Sequence, residues 1–418
     1  MTLGIIMLVH TDFDRAEQMI RHWTRAGCPV VVHVDSDVAS DTFQHFVQSV
    51  ADLTDVQFCK RNRCEWGTWG LVAASQAAAA RLLAEFPSVR HVYLASGACL
   101  PLRPVAELRA YLDARPDTDF IESATIADVP WPVGGLDRER FTLQFPFAWK
   151  KHRKVFDWFV RLQQLVRFER KMPDGLSPHM GSQWWCLTRQ TLQAILNDPM
   201  RPAYDNYFRT VWIPDESYYQ TLSRQHARKV ESRSLTLAKF DFQGKPHIFF
   251  NDHLELLQRS DCFVARKIWR DADLLYQAFP RPSDPLRLST EPNSGTVDRV
   301  FSHAVDRRTR GRQGLYMQSR FPSAENLSSL GALPYTALQG FDDIFPDFKT
   351  WLSKQTGARV HGHLFAKDRS HFEDESAIYR GGLSDNARLR DYNGKMFLTN
   401  LIWNGRDDHQ CFQFGPAD

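Results

Sequence analysis

The chain has 418 residues, 43% of them hydrophobic and 24% charged, with 52 Lys and Arg against 49 Asp and Glu. These are globular proportions, which exclude wholesale disorder, collagen and coiled coil, and at roughly 150 residues per domain the length calls for two or three domains. A formal charge of +3 is too balanced for an obligate nucleic-acid binder. The 12 Trp, 29 Phe and 11 Tyr suit a large core and also a carbohydrate site, where flat rings stack on sugar faces.

Leu3–Val9 reads as a buried first strand. It is too short and lacks the basic flank of a signal peptide, and no other stretch reaches the roughly 20 apolar residues of a membrane span. A helix is predicted over 14–26, with Thr11 or Asp12 near its cap and Gly27 past its end. Val30–Val34 is a β-branched run, 70–86 an Ala-rich helix, 89–95 a strand and 105–114 a helix. Strand–helix alternation with runs apolar on both faces predicts an α/β fold with a mostly parallel sheet. Ligands in such sheets sit at the carboxyl ends of strands, so the segments after Val9, Val34 and Ala95 carry the expected site. Four prolines among polar residues make 280–296 the expected linker between a domain of residues 1–279 and an accessory domain of residues 297–418. The seven cysteines have no C-x-x-C spacing, which predicts reduced thiols rather than a zinc ribbon or disulfide framework. His361 and His363 are read as ordinary histidines, since a lone H-x-H is weak as a metal signature.

Three segments stand out chemically. In Gly181-Ser182-Gln183-Trp184-Trp185 a small residue allows close backbone approach beside an amide and two indoles. The structural reading, indoles packed in a core, would suffice for one Trp. In Pro214-Asp215-Glu216-Ser217-Tyr218-Tyr219 an acidic pair opens a helical stretch. Helix-terminal preference explains one acid; the pair followed by two tyrosines points to a carboxylate aimed into an aromatic-walled cleft, where it can act as a general base. In Phe263-Val264-Ala265-Arg266-Lys267 the two cations fit either a solvated surface or the neutralisation of a diphosphate without a metal.

Together with His33-Val34-Asp35, Trp66-Gly67 and the run from Leu94-Ala95-Ser96-Gly97 to Pro101-Leu102, these segments follow one order between residues 33 and 267. That order resembles the core-2/I-branching glycosyltransferase family, which includes the peptide O-xylosyltransferases, and the Asp-Glu-Ser and Ala-Arg-Lys forms are closer to the xylosyltransferase branch. The resemblance implies a GT-A nucleotide-sugar transferase fold over the first domain. It also implies an inverting transfer from an α-linked UDP-sugar, GlcNAc or xylose, to a hydroxyl of a glycan or lipid-linked acceptor. It assigns the general base to Glu216, with Asp215 beside it. It places the donor against His10, Asp35, Trp66, Ser96, Gly97, Arg266 and Lys267, and the donor sugar or acceptor near Gln183, Trp184, Trp185 and Tyr218. No cofactor is expected beyond the UDP-sugar co-substrate, and no nucleic-acid partner.

Two departures and a decoy qualify the resemblance. Cys99 stands where the family pattern has an Asp, so a polar donor contact is missing or differently made. Residues 297–418 fall outside the resemblance. Asp35-Ser36-Asp37 has the D-x-D form of a metal–diphosphate site but follows the second strand, whereas the metal motif belongs after the fourth, where 95–102 has no carboxylate. A metal-independent enzyme is therefore expected. Without a membrane span, a cytoplasmic enzyme building a surface glycan is expected, peripheral at the inner membrane face. A catalytically silent sugar-binding protein is the alternative, though it would need no base. Finally, 150–171 holds eight Lys and Arg against Asp157 and Glu169, with Val155, Trp158, Phe159, Leu162, Leu165 and Val166 at helical spacing. The simple expectation is an amphipathic helix with that apolar face packed on the core; the sharper one is a surface meeting an anionic membrane or an acidic glycan.

Overall fold

The computed structural model describes residues 3–128, 136–240, 246–279, 290–301, 333–339, 346–380, 382–415 and 418. They form two compact units, one of residues 1–238, 260–270 and 276–294, the other of 239–259, 271–275 and 295–418.

The first unit is built on a seven-stranded sheet. In chain order its strands are β1 (Leu3–Val9), β2 (Val30–Val34), β3 (Val56–Phe58), β4 (His91–Ser96), β6 (Thr118–Phe120), β9 (Cys186–Thr188) and β10 (Lys229–Glu231). Between them fall the short strands β5 (Leu100–Pro101), β7 (Ala124–Thr125) and β8 (His179–Met180), and β11 (Thr236–Ala238) and β12 (Val264–Arg266) follow. The spatial order β10-β6-β9-β4-β1-β2-β3 is parallel except at β9, which runs antiparallel to β4 and β6. β1 and β2 are buried along their whole length, because helices cover both faces of a central parallel strand. Helix Gly70–Glu85 approaches closely: a Cβ on Gly4 would lie 3.0 Å from Leu82, and Ala74, Ala78 and Ala79 are fully buried.

Outside that sheet, β7 pairs with β8, and β12 lies between β11 and β5. Of the expected linker, residues 280–289 lie outside the described residues, while Glu291 belongs to the first unit and accepts hydrogen bonds from Tyr111 at 2.9 Å and Arg233 at 2.7 Å.

The second unit has a parallel three-stranded sheet, with β17 (Gln410–Phe414) between β13 (Tyr335–Gln339) and β14 (Arg359–His363). β15 (Ile378–Tyr379) and β16 (Leu383–Ser384) form a hairpin. Here His361 is buried and stacks on Phe412, its pKa lowered to about 4 by burial, while His363 pairs with Asp418 at 2.8 Å. The H-x-H therefore divides between core and surface. No helix among the described residues is long and apolar enough to cross a membrane.

Candidate functional site

Because β1, β2 and β4 are parallel, the residues after them share one edge of the sheet. Asp35 N–H donates to Val9 C=O at 3.0 Å, and Gly97 N–H to Leu8 C=O at 3.3 Å. At the end of β2, burial pushes the His33 imidazole down to about 4, and its Nε2 accepts from Asn62 N–H at 2.8 Å. Asp35 fixes the next loop: Oδ1 accepts from Asp37 N–H at 2.9 Å and Oδ2 from Cys64 N–H at 3.2 Å. Asp37 instead faces Arg63 at 3.0 Å on the surface. The two carboxylates of the D-x-D are thus engaged with different partners.

The loop held by Asp35 leads to Trp66 and Gly67. Trp66 is exposed, with Lys150 Nζ 5.1 Å above its ring and Trp149 and Trp212 at its edges. Gly67, at φ 75°, takes the left-handed conformation that glycine permits, and its C=O accepts from Ile213 N–H at 3.2 Å. Ile213 is itself at φ 53°, a conformation a β-branched residue adopts only under constraint. It delivers the chain into the single 3-10 turn Pro214–Glu216, which precedes helix Tyr218–His226.

The Gly-Ser-Gln-Trp segment clamps this turn. Gly181 N–H donates to Glu216 C=O at 3.0 Å. Gln220 Nε2 donates to Ser182 C=O at 2.8 Å and to Asp215 C=O at 3.4 Å. A Cβ on Gly181 would sit 1.8 Å from Glu122 C=O, so only glycine lets the segment run this close.

The carboxylates are poised high. Asp215 is buried, and its Oδ1 has no hydrogen-bond partner. Burial and the neighbouring Glu216 push its pKa up to about 7, against the opposing pull of Arg140 and Arg266. Burial also raises Glu216, while Arg140 Nη1, 3.1 Å from Glu216 Oε2, holds its charge. Glu122 accepts from Ser182 N–H at 3.2 Å and is raised by burial and by the charge of Glu216.

Opposite the acids stands the end of β12. The Arg266 guanidinium lies 3.9 Å from the Trp184 ring centroid and beside Cys99, whose sulfur is 3.3 Å from Ser96 Oγ. Burial lowers the Arg266 pKa, and Cys99 and Asp215 resist that shift. Lys267 is lowered by burial and by Arg266 and Lys150. His10 is held below its ordinary value by the protein around it and by Lys267 and Arg266, with Asp35 and Asp12 pulling the other way.

The structure therefore brings together His10, Asp35, Ser96, Gly97, Trp184, Asp215, Glu216, Arg266 and Lys267, with Trp66 reached through Lys150. Gln183 is half-buried next to Trp184. Two expected residues turn away. Tyr218 is fully buried, donating from its hydroxyl to Asp205 at 2.7 Å and accepting from Gln76 at 2.8 Å. Trp185 is buried against Tyr219, ring centroids 4.9 Å apart. Both are core side chains, and so is Tyr219, so neither tyrosine of the Asp-Glu-Ser-Tyr-Tyr segment turns toward the acids. Arg140 and Glu122 belong to the site and went unread. Glu122 is a single charge in an apolar stretch and Arg140 one of four successive charges, Asp137 to Arg140, and only folding sets either beside Glu216.

A family model described as Core-2/I-Branching enzyme matches residues 7–255, more than half of the chain. A second model, described as a family of unknown function (DUF5927), matches residues 266–418. No curated protein matches the chain. The chain belongs to the core-2/I-branching enzyme family, and it is a glycosyltransferase with that family's GT-A-like fold.

Proposed function

We propose that this member of the core-2/I-branching family is an inverting, metal-independent transferase using a UDP-sugar, with UDP-GlcNAc and UDP-xylose the favoured donors and a glycan or lipid-linked hydroxyl the acceptor. The observation that carries the reading is the turn that holds Asp215 and Glu216, with Asp215 within electrostatic reach of Arg266, while neither Arg266 nor its neighbour Lys267 makes an ion pair among the described residues. An acceptor hydroxyl attacks the anomeric carbon as the carbon–oxygen bond to UDP breaks. Glu216 takes the hydroxyl proton; Arg140 favours its ionised form against the effect of burial and fixes it in place. Charge growing on the departing diphosphate meets Arg266 and Lys267, where a preformed field is worth most.

His10, Asp35, Ser96 and Gly97 line the donor end in this scheme, and Trp184, itself buried, supports Arg266 from beneath while half-buried Gln183 is left to meet the sugar. Metal independence is supported by the engagement of Asp37 with Arg63 and of Asp35 with two backbone amides. A screen of UDP-sugars by thermal shift and by UDP release tests the reading. A donor at 100 times its dissociation constant stabilises the protein by about 2.7 kcal/mol and releases UDP when an acceptor is supplied. Stabilisation without UDP release across a panel of acceptors would replace the enzyme by a sugar-nucleotide binder.

A further inference from the structure

Helix Arg153–Leu165 has two apolar faces. Phe156 and Val160 point inward, where Phe156 meets Phe145 at 5.3 Å and Trp212 at 5.6 Å. Of the expected core face, Phe159 is half-buried against Phe147 at 5.5 Å, and the rest points to solvent: Val155, Trp158, Leu162 and Leu165 are 45, 62, 37 and 81% exposed, and Val166 continues the row at 63%. Residues spaced three, four and three apart make one stripe along a helix. Isolated exposed hydrophobics need no explanation, but a contiguous row containing a Trp does.

Charge says what the row meets. Lys154 and Arg161, seven residues apart, flank the stripe on one side, and Arg167 and Lys171 follow beyond it; all four are exposed. The two acids of the segment are already countered, Asp157 by Arg153 at 4.0 Å and Glu169 by Arg138 at 3.7 Å. Arg170, by contrast, is structural, donating to Tyr207 C=O and Thr210 Oγ1.

We infer that this face docks on an anionic lipid bilayer, with Trp158 and Leu165 entering the headgroup–acyl boundary and Lys154, Arg161, Arg167 and Lys171 meeting lipid phosphates. An amphipathic helix with cations beside a Trp- and Leu-bearing face is the form that lies in a membrane interface. A soluble acidic glycan would satisfy the cations but leave Leu165 and Val166 in water. A second copy of the same face would add four more cations where anions are needed. The inference goes beyond the transfer reading and stands without it.

The test is co-sedimentation of the full chain with phosphatidylcholine vesicles and with vesicles in which about a third of the lipid is phosphatidylglycerol. Binding is expected only to the anionic vesicles and is expected to weaken with salt. Each cation near such a surface multiplies partitioning about fivefold. Changing Lys154, Arg161, Arg167 and Lys171 to Gln should therefore cost on the order of several hundredfold. Trp158→Ser with Leu165→Gln should cost at least about tenfold. All six side chains face water, so both variants should keep the wild-type thermal midpoint. The inference is overturned if anionic vesicles do not bind at low salt, if neutral vesicles bind equally, or if both variants bind as wild type. Binding to soluble dextran sulfate without vesicle binding also overturns it, as does dimerisation abolished by the Trp158/Leu165 change without vesicle binding. Partitioning is read without turnover, so its failure is distinct from failure of the transfer reading.

Discussion

Among the described residues, the second unit holds a network of paired charges, whereas in the site of the first Asp215, Arg266 and Lys267 make no ion pair. Arg359 faces Glu373 at 2.5 Å and Asp408 at 2.8 Å, and Asp408 also takes Arg380. Lys349 and Arg369 share Glu375, at 2.6 and 3.0 Å. In the site, Asp215 keeps an oxygen with no partner while the cations of Arg266 and Lys267 stand opposite. The two patterns separate charge that holds a fold from charge held ready for a ligand. Closed groups stabilise a little at their own location; open groups carry a desolvation cost that a substrate can offset.

The comparison breaks most sharply at Glu216. Glu216→Gln keeps shape and removes the proton acceptor, so transfer should fall about 10²–10⁴-fold while calorimetry shows UDP binding retained. Near-wild-type turnover would remove Glu216 from the role of base. Arg140→Gln tests the same carboxylate from the other side. Without the cation at 3.1 Å, the Glu216 pKa rises further. Because the base must be ionised, the acid limb of the pH–rate profile should move to higher pH.

The open cations come next in size. Charge-assisted hydrogen bonds are worth about 1.5–3 kcal/mol each, so Arg266→Ala with Lys267→Ala should weaken UDP by roughly 10²-fold or more. Uridine, which lacks the diphosphate, should weaken far less. Transfer should persist in excess EDTA. Loss of activity in EDTA with recovery in manganese would return the diphosphate to Asp35 and Asp37.

How far the sequence reaches follows from the same contrast. β1, β2 and helices Gly70–Glu85 and Val105–Asp113 lie close to their expected limits, because each carries a local period or an unbroken apolar run. The three-residue strands β3, β6 and β9 are too short to show one. Motif order singles out Asp215, Glu216, Arg266 and Lys267, but adjacency cannot say which aromatic neighbours turn inward. Tyr218 and Trp185 are core because their side chains meet Asp205, Gln76 and Tyr219 from remote parts of the chain. Helix Arg153–Leu165 shows the same limit: period gives the apolar rows, and only packing decides that Phe156 and Val160 are the buried ones.

The smallest expected effect is on stability, and there the two regions should respond to pH with opposite sign. Asp215 has a folded pKa of about 7, raised from 3.8. Between those values the native state holds more protons than the unfolded one, so the stability tied to this group is full below about pH 4 and is lost as pH rises toward 7. Asp215→Asn cannot ionise. Its thermal midpoint should match wild type near pH 4 and exceed it increasingly toward neutrality. Asp408 runs the other way: although burial opposes ionisation, Arg380 and Arg359 hold its carboxyl below the ordinary value of 3.8. Its contribution is present above that value and lost as pH falls through the folded pKa. Arg359→Gln opens the network at a partly exposed pair, which limits the cost at neutral pH to about 0.5–1 kcal/mol, and the difference from wild type should close on acidification. Thermal denaturation of both variants from about pH 2 to neutrality reads the two slopes, the Asp215 one between about pH 4 and 7 and the Asp408 one below pH 3.8. If Asp215→Asn destabilises at neutral pH, that carboxylate belongs with the closed charges, as Glu216 already does through Arg140, and the open charge of the site is reduced to Arg266 and Lys267.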